Sequence, residues 1–165
     1  MSGFAKPFAF ASVLFSGAIF GFFYAWVCST MWGLDIIDPR AAIEAMNGMN
    51  ATVRNGVFAP AFFGTPLVLL LTAAVTRASG MTSASWAFAA AAALYLVGAF
   101  AVTVAVNVPM NRELLETAIP ADVDAARTIW EGYSDRWQVF NILRTVVSAV
   151  VLGLAALGLY LTRRP

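Results

Sequence analysis

The sequence predicts an all-α integral membrane protein, a bundle of four transmembrane helices, from its composition and its distribution of charge. Of the 165 residues, 61% are hydrophobic and 12% are charged, far outside the range of soluble globular domains. Four windows lack Asp, Glu, Lys and Arg, and each is long enough to cross a hydrocarbon core of about 30 Å as a helix. They are Pro7 to Leu34, Asn55 to Thr76, Ala78 to Asn111 and Thr145 to Thr162. We therefore expect residues 1–165 to form one four-helix transmembrane domain.

The first predicted helix, roughly Phe8 to Met31, carries small residues that favour close helix packing. Gly17 and Gly21 have the spacing that lets a second helix approach. Tyr24 falls on the same face, so it is expected to point into the bundle. The apolar run is longer than the core of a signal peptide, so this helix is expected to remain in the mature chain.

A short amphipathic helix is predicted before the second span. Asp38 is a suitable N-cap, and Pro39 fits the first helical position. A mostly apolar stripe then recurs at helical spacing. Its members are Ile43, Met46, Asn50, Val53 and Val57. Asn50 interrupts the stripe, either as a helix-end partner or as a ligand contact.

The third predicted helix runs from about Ser85 to Asn107, where Pro109 is expected to break or restart it. Asn107 and Asn111 bracket this proline at the membrane boundary. They act either as a cap and a turn or as polar groups that face the interior of the bundle.

The last predicted helix begins near Pro120 or Ala121 and carries a polar and aromatic stripe into the membrane. The stripe is Trp130, Tyr133, Trp137, Asn141 and Arg144, whose spacings of three and four residues place them on one face. A charge in lipid costs about 2.5–3.5 kcal/mol on insertion scales, so Arg144 should face protein or trapped water. Its expected partners are Asn107, Asn111, Asn141 and Tyr24. One interpretation is an interfacial tryptophan belt with a snorkelling arginine; the other is a pocket with aromatic walls and a polar floor.

Charge is segregated along the chain. All nine acidic residues lie in the first and third inter-helix segments. The opposite side carries only Lys6, Arg77, Arg163 and Arg164, and this distribution favours an orientation with both termini in the cytoplasm. The membrane is expected to be the plasma membrane. The bare count of Lys and Arg, six against four, favours the opposite orientation.

Several classes of site are absent from the sequence. With no histidine and one cysteine, Cys28, the chain lacks the commonest metal ligand and the usual general base, and we expect neither metal nor cofactor. A haem would need Cys28, a Met or a Tyr as its axial ligand. No phosphate loop or basic nucleic-acid patch is present. The expected partners are the lipid bilayer and a hydrophobic small molecule, while a homo-oligomer is left open.

Two motifs carry a family resemblance, NVPMN (Asn107 to Asn111) and WEGYSDRWQVFNILR (Trp130 to Arg144). They resemble the paired signature of the DUF1772 family of four-helix membrane proteins, whose named members are anthrone oxygenases. The resemblance extends to the segment MNGMNATVRNGVFAP. The positions that match the family pattern are Asn50, Pro109, Asn111, Trp137, Asn141 and Arg144. The resemblance implies a four-helix fold and cofactor-independent oxygenation of a flat aromatic substrate.

Under this resemblance, Arg144 would stabilise an enolate, with Asn111 and Asn141 donating hydrogen bonds to its oxygens. Trp130, Tyr133 and Trp137 would stack on the rings, and Asn107, Tyr24 and Asn50 would complete the substrate site. The general base would be Glu113, Glu116, Tyr24 or Tyr133. A non-catalytic carrier or sensor of a lipophilic molecule, and a structural membrane subunit, are the alternative functions.

Overall fold

The protein is built from five continuous helical stretches, four of which are long and apolar enough to cross a membrane. The computed structural model describes residues 2–163, and no β-strand occurs among them. The spans are Phe4–Asp35, Phe58–Ala78, Thr82–Glu116 and Val123–Leu161. This confirms the predicted four-helix bundle of an integral membrane protein. Arg164, one of the cations used to predict the topology, lies outside the described residues.

The first and third spans change helix type along their length. The α-helices are α1 (Ser2–Ala25), α2 (Met31–Asp35), α3 (Pro39–Thr52), α4 (Phe58–Ala78), α5 (Thr82–Tyr95), α6 (Val108–Glu116) and α7 (Val123–Leu161). Three π-helical segments, Trp26–Thr30, Leu96–Ala101 and Thr103–Asn107, lie within the two spans. Of the two alternatives predicted at Pro109, a break or a restart of the helix, the restart is confirmed, because the chain stays helical and α6 begins at Val108. Pro109 occupies the first turn of α6 just after a wider π-helical turn, where a missing N–H is tolerated.

The four spans form a closed ring in which each packs against two neighbours. Both α4 and α7 pack against α1 and α5, around a core that includes Leu69, Phe88, Tyr95 and Val151. Close approach occurs at Gly158, where an added Cβ would lie 2.7 Å from the Phe88 ring. An added Cβ at Gly21 would have nothing within 4 Å, and one at Gly17 would meet only an ordinary contact at 3.9 Å. The predicted close packing at these two glycines is therefore wrong.

Helix α3 covers one end of the ring, which we call the cavity end. Asp38 caps it as predicted, accepting a hydrogen bond from the Arg40 backbone N at 2.9 Å. Hydrogen bonds from the Arg40 side chain and backbone lower the pKa of the Asp38 carboxyl to about 2. Ile43 and Met46 lie on the buried face of α3, as predicted. Val57 lies beyond the end of α3 and is 87% exposed, so its place on the stripe was wrong.

Helix α7 extends well beyond the bilayer. Its 39 residues span about 58 Å, nearly twice a hydrocarbon core of about 30 Å. Asp122 is its N-cap and accepts from the Ala125 N at 2.8 Å, so the helix begins slightly later than predicted. All five residues of the stripe, Trp130, Tyr133, Trp137, Asn141 and Arg144, are buried. The prediction that they share an inward face is confirmed.

Candidate functional site

A cavity of about 370 Å³ lies between the spans at the cavity end, below α3. Its aromatic lining comes from Phe22, Phe23, Trp26, Phe58, Phe62, Phe63 and Trp137. Its polar lining comes from Asn50, Arg54, Thr103, Asn107, Asn111, Asn141 and Arg144. Every span contributes to these walls, as does α3. An apolar cavity with a small number of polar groups has the size and character of a small-molecule site.

Arg144 lies in the wall of this cavity and is 4% exposed. Its Nη1 donates to Thr103 Oγ1 at 3.1 Å, and its Nη2 donates to Asn141 Oδ1 at 3.0 Å. The guanidinium carbon is 4.6 Å from the Phe23 ring centroid and 5.3 Å from that of Trp137. The prediction that Arg144 contacts protein, with an asparagine as partner, is confirmed. A snorkelling arginine in an interfacial belt does not describe this residue.

The charge of Arg144 has no acidic counterpart. Among residues 2–163, the single salt bridge joins Arg40 to Asp38. Asn141 holds the guanidinium with a neutral oxygen, and its own amide donates to the Phe23 carbonyl at 3.2 Å. A buried cation held by neutral groups and ring faces favours an anion beside it.

Several polar atoms of the lining have no hydrogen-bond partner in the described structure. Asn107 is 1% exposed, yet neither its Nδ2 nor its Oδ1 is paired. Arg144 Nε and Asn50 Nδ2 are also unpaired. Leaving a buried polar group unpaired costs about 1–3 kcal/mol, and such groups in native proteins call for an explanation. Four of the seven such atoms in the described structure belong to residues that line this cavity, as expected of a site that binds a polar group; the other three are on Ser16, Asn47 and Ser148.

Asn111 organises the cavity wall. Its Oδ1 accepts from Tyr133 Oη at 2.8 Å and from Trp137 Nε1 at 3.0 Å, while its Nδ2 donates to Asn50 Oδ1 at 2.8 Å. These bonds fix the Trp137 ring and tie α3 to the third span. Asn111 therefore has a positioning role, and because its amide carries a second N–H and it lines the cavity, its role as a direct donor to substrate stays a prediction. Asn50, likewise, is both a hydrogen-bond partner and part of the lining.

Two members of the α7 stripe do not line the cavity. Trp130 Nε1 donates to Asp35 Oδ1 at 3.0 Å, a carboxylate that Ser134 and Gln138 also bind. The hydroxyl of Tyr133 is taken up by Asn111. Trp130 and Tyr133 therefore brace the cavity end, and their predicted stacking on a ligand is not supported. They lie nearer than Trp137 to the start of α7, further from the cavity.

The remaining predicted residues lie outside the cavity. Tyr24 is 49% exposed and stacks on Phe20 with centroids 5.5 Å apart, so its predicted inward orientation is wrong. The inward face of α1 is instead set by Phe23, which is 1% exposed. Glu113 and Glu116 are exposed and face a different part of the surface. None of the three can act as the predicted base in this cavity.

Much of the aromatic lining was not predicted. Phe22 and Trp26 are one helical turn apart, as are Phe58 and Phe62. That spacing was a signal for a shared face, and both pairs are in ring contact. Because aromatic residues are frequent throughout this chain, the spacing alone did not distinguish a cavity wall from lipid-facing rings.

Comparison with known proteins places the chain in a family. The family model for anthrone oxygenase matches residues 54–154, more than half of the chain. The matched region contains Thr103, Asn107, Trp137, Asn141 and Arg144. No curated protein and no solved structure matches the chain.

Proposed function

Because the chain belongs to the anthrone oxygenase family, we propose that it is a membrane-embedded, cofactor-independent oxygenase of a flat, hydrophobic, anthrone-like substrate. The observation that carries this proposal is the Arg144 guanidinium, buried among aromatic rings and held by neutral partners. An anthrone enolate is flat, has apolar faces and bears its negative charge on oxygen. It matches both the ring-lined walls and the uncompensated cation.

The proposed reaction needs no second reductant. Loss of a proton from the methylene group, which the carbonyl acidifies, gives an enolate that passes one electron to O₂. The resulting radical and superoxide combine to form a C–O bond, and protonation gives a hydroperoxide. Loss of water then leaves a carbonyl at the former methylene carbon. In total, CH₂ and O₂ become C=O and H₂O, with the substrate supplying all four electrons.

The cavity offers donors for the developing oxyanion. Arg144 Nε and Asn107 Nδ2 are unpaired and are the groups we assign to the enolate oxygen. Asn141 and Thr103 hold the guanidinium fork in place, so little reorganisation is needed as charge develops. The rings of Phe23 and Trp137, which already lie against Arg144, provide stacking surfaces for the substrate.

No Asp, Glu, Lys or Tyr of the described residues lines the cavity. We therefore assign the acceleration of proton loss to stabilisation of the enolate, since a nearby cation lowers the pKa of the acid that forms an anion beside it. The proton passes to water on the exposed polar side of the cavity, where Arg54 lies.

The proposal is tested by oxygen uptake with emodin anthrone, corrected for the autoxidation of this compound without protein. Arg144→Lys should lose activity about a hundredfold while remaining folded, because an ammonium lacks the guanidinium fork. Arg112→Lys is the matched control and should stay within about twofold, since Arg112 is exposed and lies outside the cavity, where solvent and salt screen its charge. A wild-type rate no higher than the protein-free rate across a panel of anthrones would end the oxygenase proposal.

The same assay separates the two alternatives. The cavity without a side-chain base also suits a non-catalytic carrier or sensor of a lipophilic molecule. Binding of emodin anthrone without oxygen uptake would favour that function. A protein that neither binds nor oxidises these compounds would instead fit a structural membrane subunit.

We further propose that the protein resides in the plasma membrane with both termini in the cytoplasm. The segregation of acidic residues away from Lys6, Arg77 and Arg163 supports this orientation, which directs the cavity end away from the cytoplasm. Reporter fusions after Pro165 and in the segment from Arg77 to Ser85 should both give cytoplasmic signals. An external signal at either point would reverse the orientation.

A further inference from the structure

Two residues line the cavity and also face outward from the bundle. Phe63 on α4 is 54% exposed, and Val104 in the third span is 52% exposed. A side chain that borders a cavity while facing the surroundings marks an opening. Both residues are apolar and belong to spans long and apolar enough to cross a membrane, so this opening is expected to face hydrocarbon rather than water.

The opening lies where two spans separate. In its first part, which is α5, the third span packs closely against α4. Further along, Phe100 contacts the rings of Phe62 and Phe63, with centroids 5.3 and 5.9 Å apart. Beyond Phe100, the cavity lies between α4 and the third span, and Val104 and Asn107 face it. Phe100 thus forms one edge of a gap between the second and third spans.

Polarity changes from this gap to the interior. The mouth is formed by the apolar side chains of Phe63 and Val104, whereas the inner wall carries Asn107 and Arg144, which are nearly fully buried. Asn107 has two unpaired polar atoms there and Arg144 has one. A lipid tail would satisfy none of them. A ligand with an apolar body and one hydrogen-bonding or anionic edge would satisfy both ends.

We propose that this gap is a lateral portal, through which the cavity takes its ligand directly from the bilayer with the polar edge leading. The inference rests on the ligand class of the proposed function and narrows it to compounds that partition into membranes. It concerns binding, so it does not require that the protein be an oxygenase.

The test measures how fast emodin binds to the protein in lipid vesicles. Emodin is already a quinone, so it reports binding without turnover, and it quenches nearby tryptophans; Trp26 and Trp137 line the cavity with rings 5.2 Å apart. Val104→Trp should slow association about tenfold or more by filling the mouth. The matched control is Val97→Trp, which adds the same ring to the same span at a site 72% exposed and outside the lining. It should leave the rate within about twofold.

Two further variants keep the outcome decisive. Val104→Ala widens the mouth and should bind at least as fast as wild type, so a slower rate would contradict the portal even if Val104→Trp folds poorly. Arg54→Trp narrows the exposed polar side of the cavity and so tests entry from water. If Arg54→Trp slows binding and Val104→Trp does not, the ligand comes from water and the portal is wrong.

A wild-type protein that shows no quenching by emodin would also overturn the portal. Binding through the gap without oxygen uptake would leave the portal standing while the oxygenase proposal falls.

Discussion

The two ends of the bundle treat buried polar groups in opposite ways. At the end away from α3, which we call the packed end, Ser12 and Thr72 bond to each other at 2.8 Å, while Thr76 and Ser85 bond to backbone carbonyls. At the cavity end, both polar atoms of Asn107 are unpaired. These polar groups of the packed end are paired, whereas several at the cavity end are open; outside the cavity, the hydroxyls of Ser16 and Ser148 are unpaired as well.

Packing differs in the same direction. At the packed end, the Phe88 ring lies so close to Gly158 that no Cβ fits between them, whereas the cavity end encloses about 370 Å³. Open space and unpaired polar atoms each reduce stability. Sites of function often carry such local costs, so the difference is consistent with the binding site that we propose at the cavity end.

The largest expected effect comes from disturbing the packed end. Gly158→Leu forces a side chain into the Phe88 ring and should lower the free energy of unfolding by about 1–3 kcal/mol. Gly21→Leu, whose Cβ meets nothing within 4 Å, is the control and should leave stability nearly unchanged. Unfolding transitions in detergent measure both, and emodin affinity of the folded fraction should not change. A Gly158→Leu protein as stable as wild type would show that the packed end is not tight.

A smaller effect is expected from the cavity wall. Trp137→Leu removes a ring that lines the cavity and should weaken emodin binding about tenfold. Trp130→Leu removes a ring of the same type outside the cavity and should change affinity much less, although it disrupts the bond to Asp35. Titration by tryptophan quenching or calorimetry compares the two. Equal losses would mean that the stripe acts as one unit.

The smallest effect is expected at Asn107, where a substitution should raise stability and lower the affinity for emodin. Asn107→Leu removes two unpaired buried polar atoms and should raise the free energy of unfolding by about 1 kcal/mol. It should also weaken emodin binding several-fold, because the ligand loses a hydrogen-bond partner. Paired unfolding and binding measurements on one preparation test this. Loss of stability would indicate that Asn107 has a structural partner in solution.

The sequence predicted the spans and the buried face of α7 because these follow from local physics. Absence of charge over the length of a membrane core defines a span. Spacings of three and four residues define a helix face. Arg144 could be assigned to the interior before its partners were known, because a charge facing lipid is costly.

Which residues line the cavity could not be read from the same rules. Helical spacing gives the direction of Trp130 and Tyr133 but not the height at which the neighbouring helices separate. The prediction that Tyr24 faces inward rests on Gly17 and Gly21 as a packing face, whereas the helices make their closest approaches at other glycines. The sequence places Asp35 in an inter-helix segment, and only the tertiary structure brings it to Trp130.

The π-helical turns of the third span let it hold extra residues without turning the helix face that follows. Such a turn accommodates one residue more than a regular α-helical turn. Deleting one residue within Leu96–Ala101 and restoring α-helix there is therefore expected to leave Thr103 and Asn107 facing Arg144. The same deletion within the regular α-helix of α5 would rotate the side chains that follow by about 100° relative to those before it, and it is expected to abolish ligand binding while barely changing composition or hydropathy. The number of residues in the regular part of the span is thus as much a part of the site as any side chain, and the π-helical turns are where one residue can be lost.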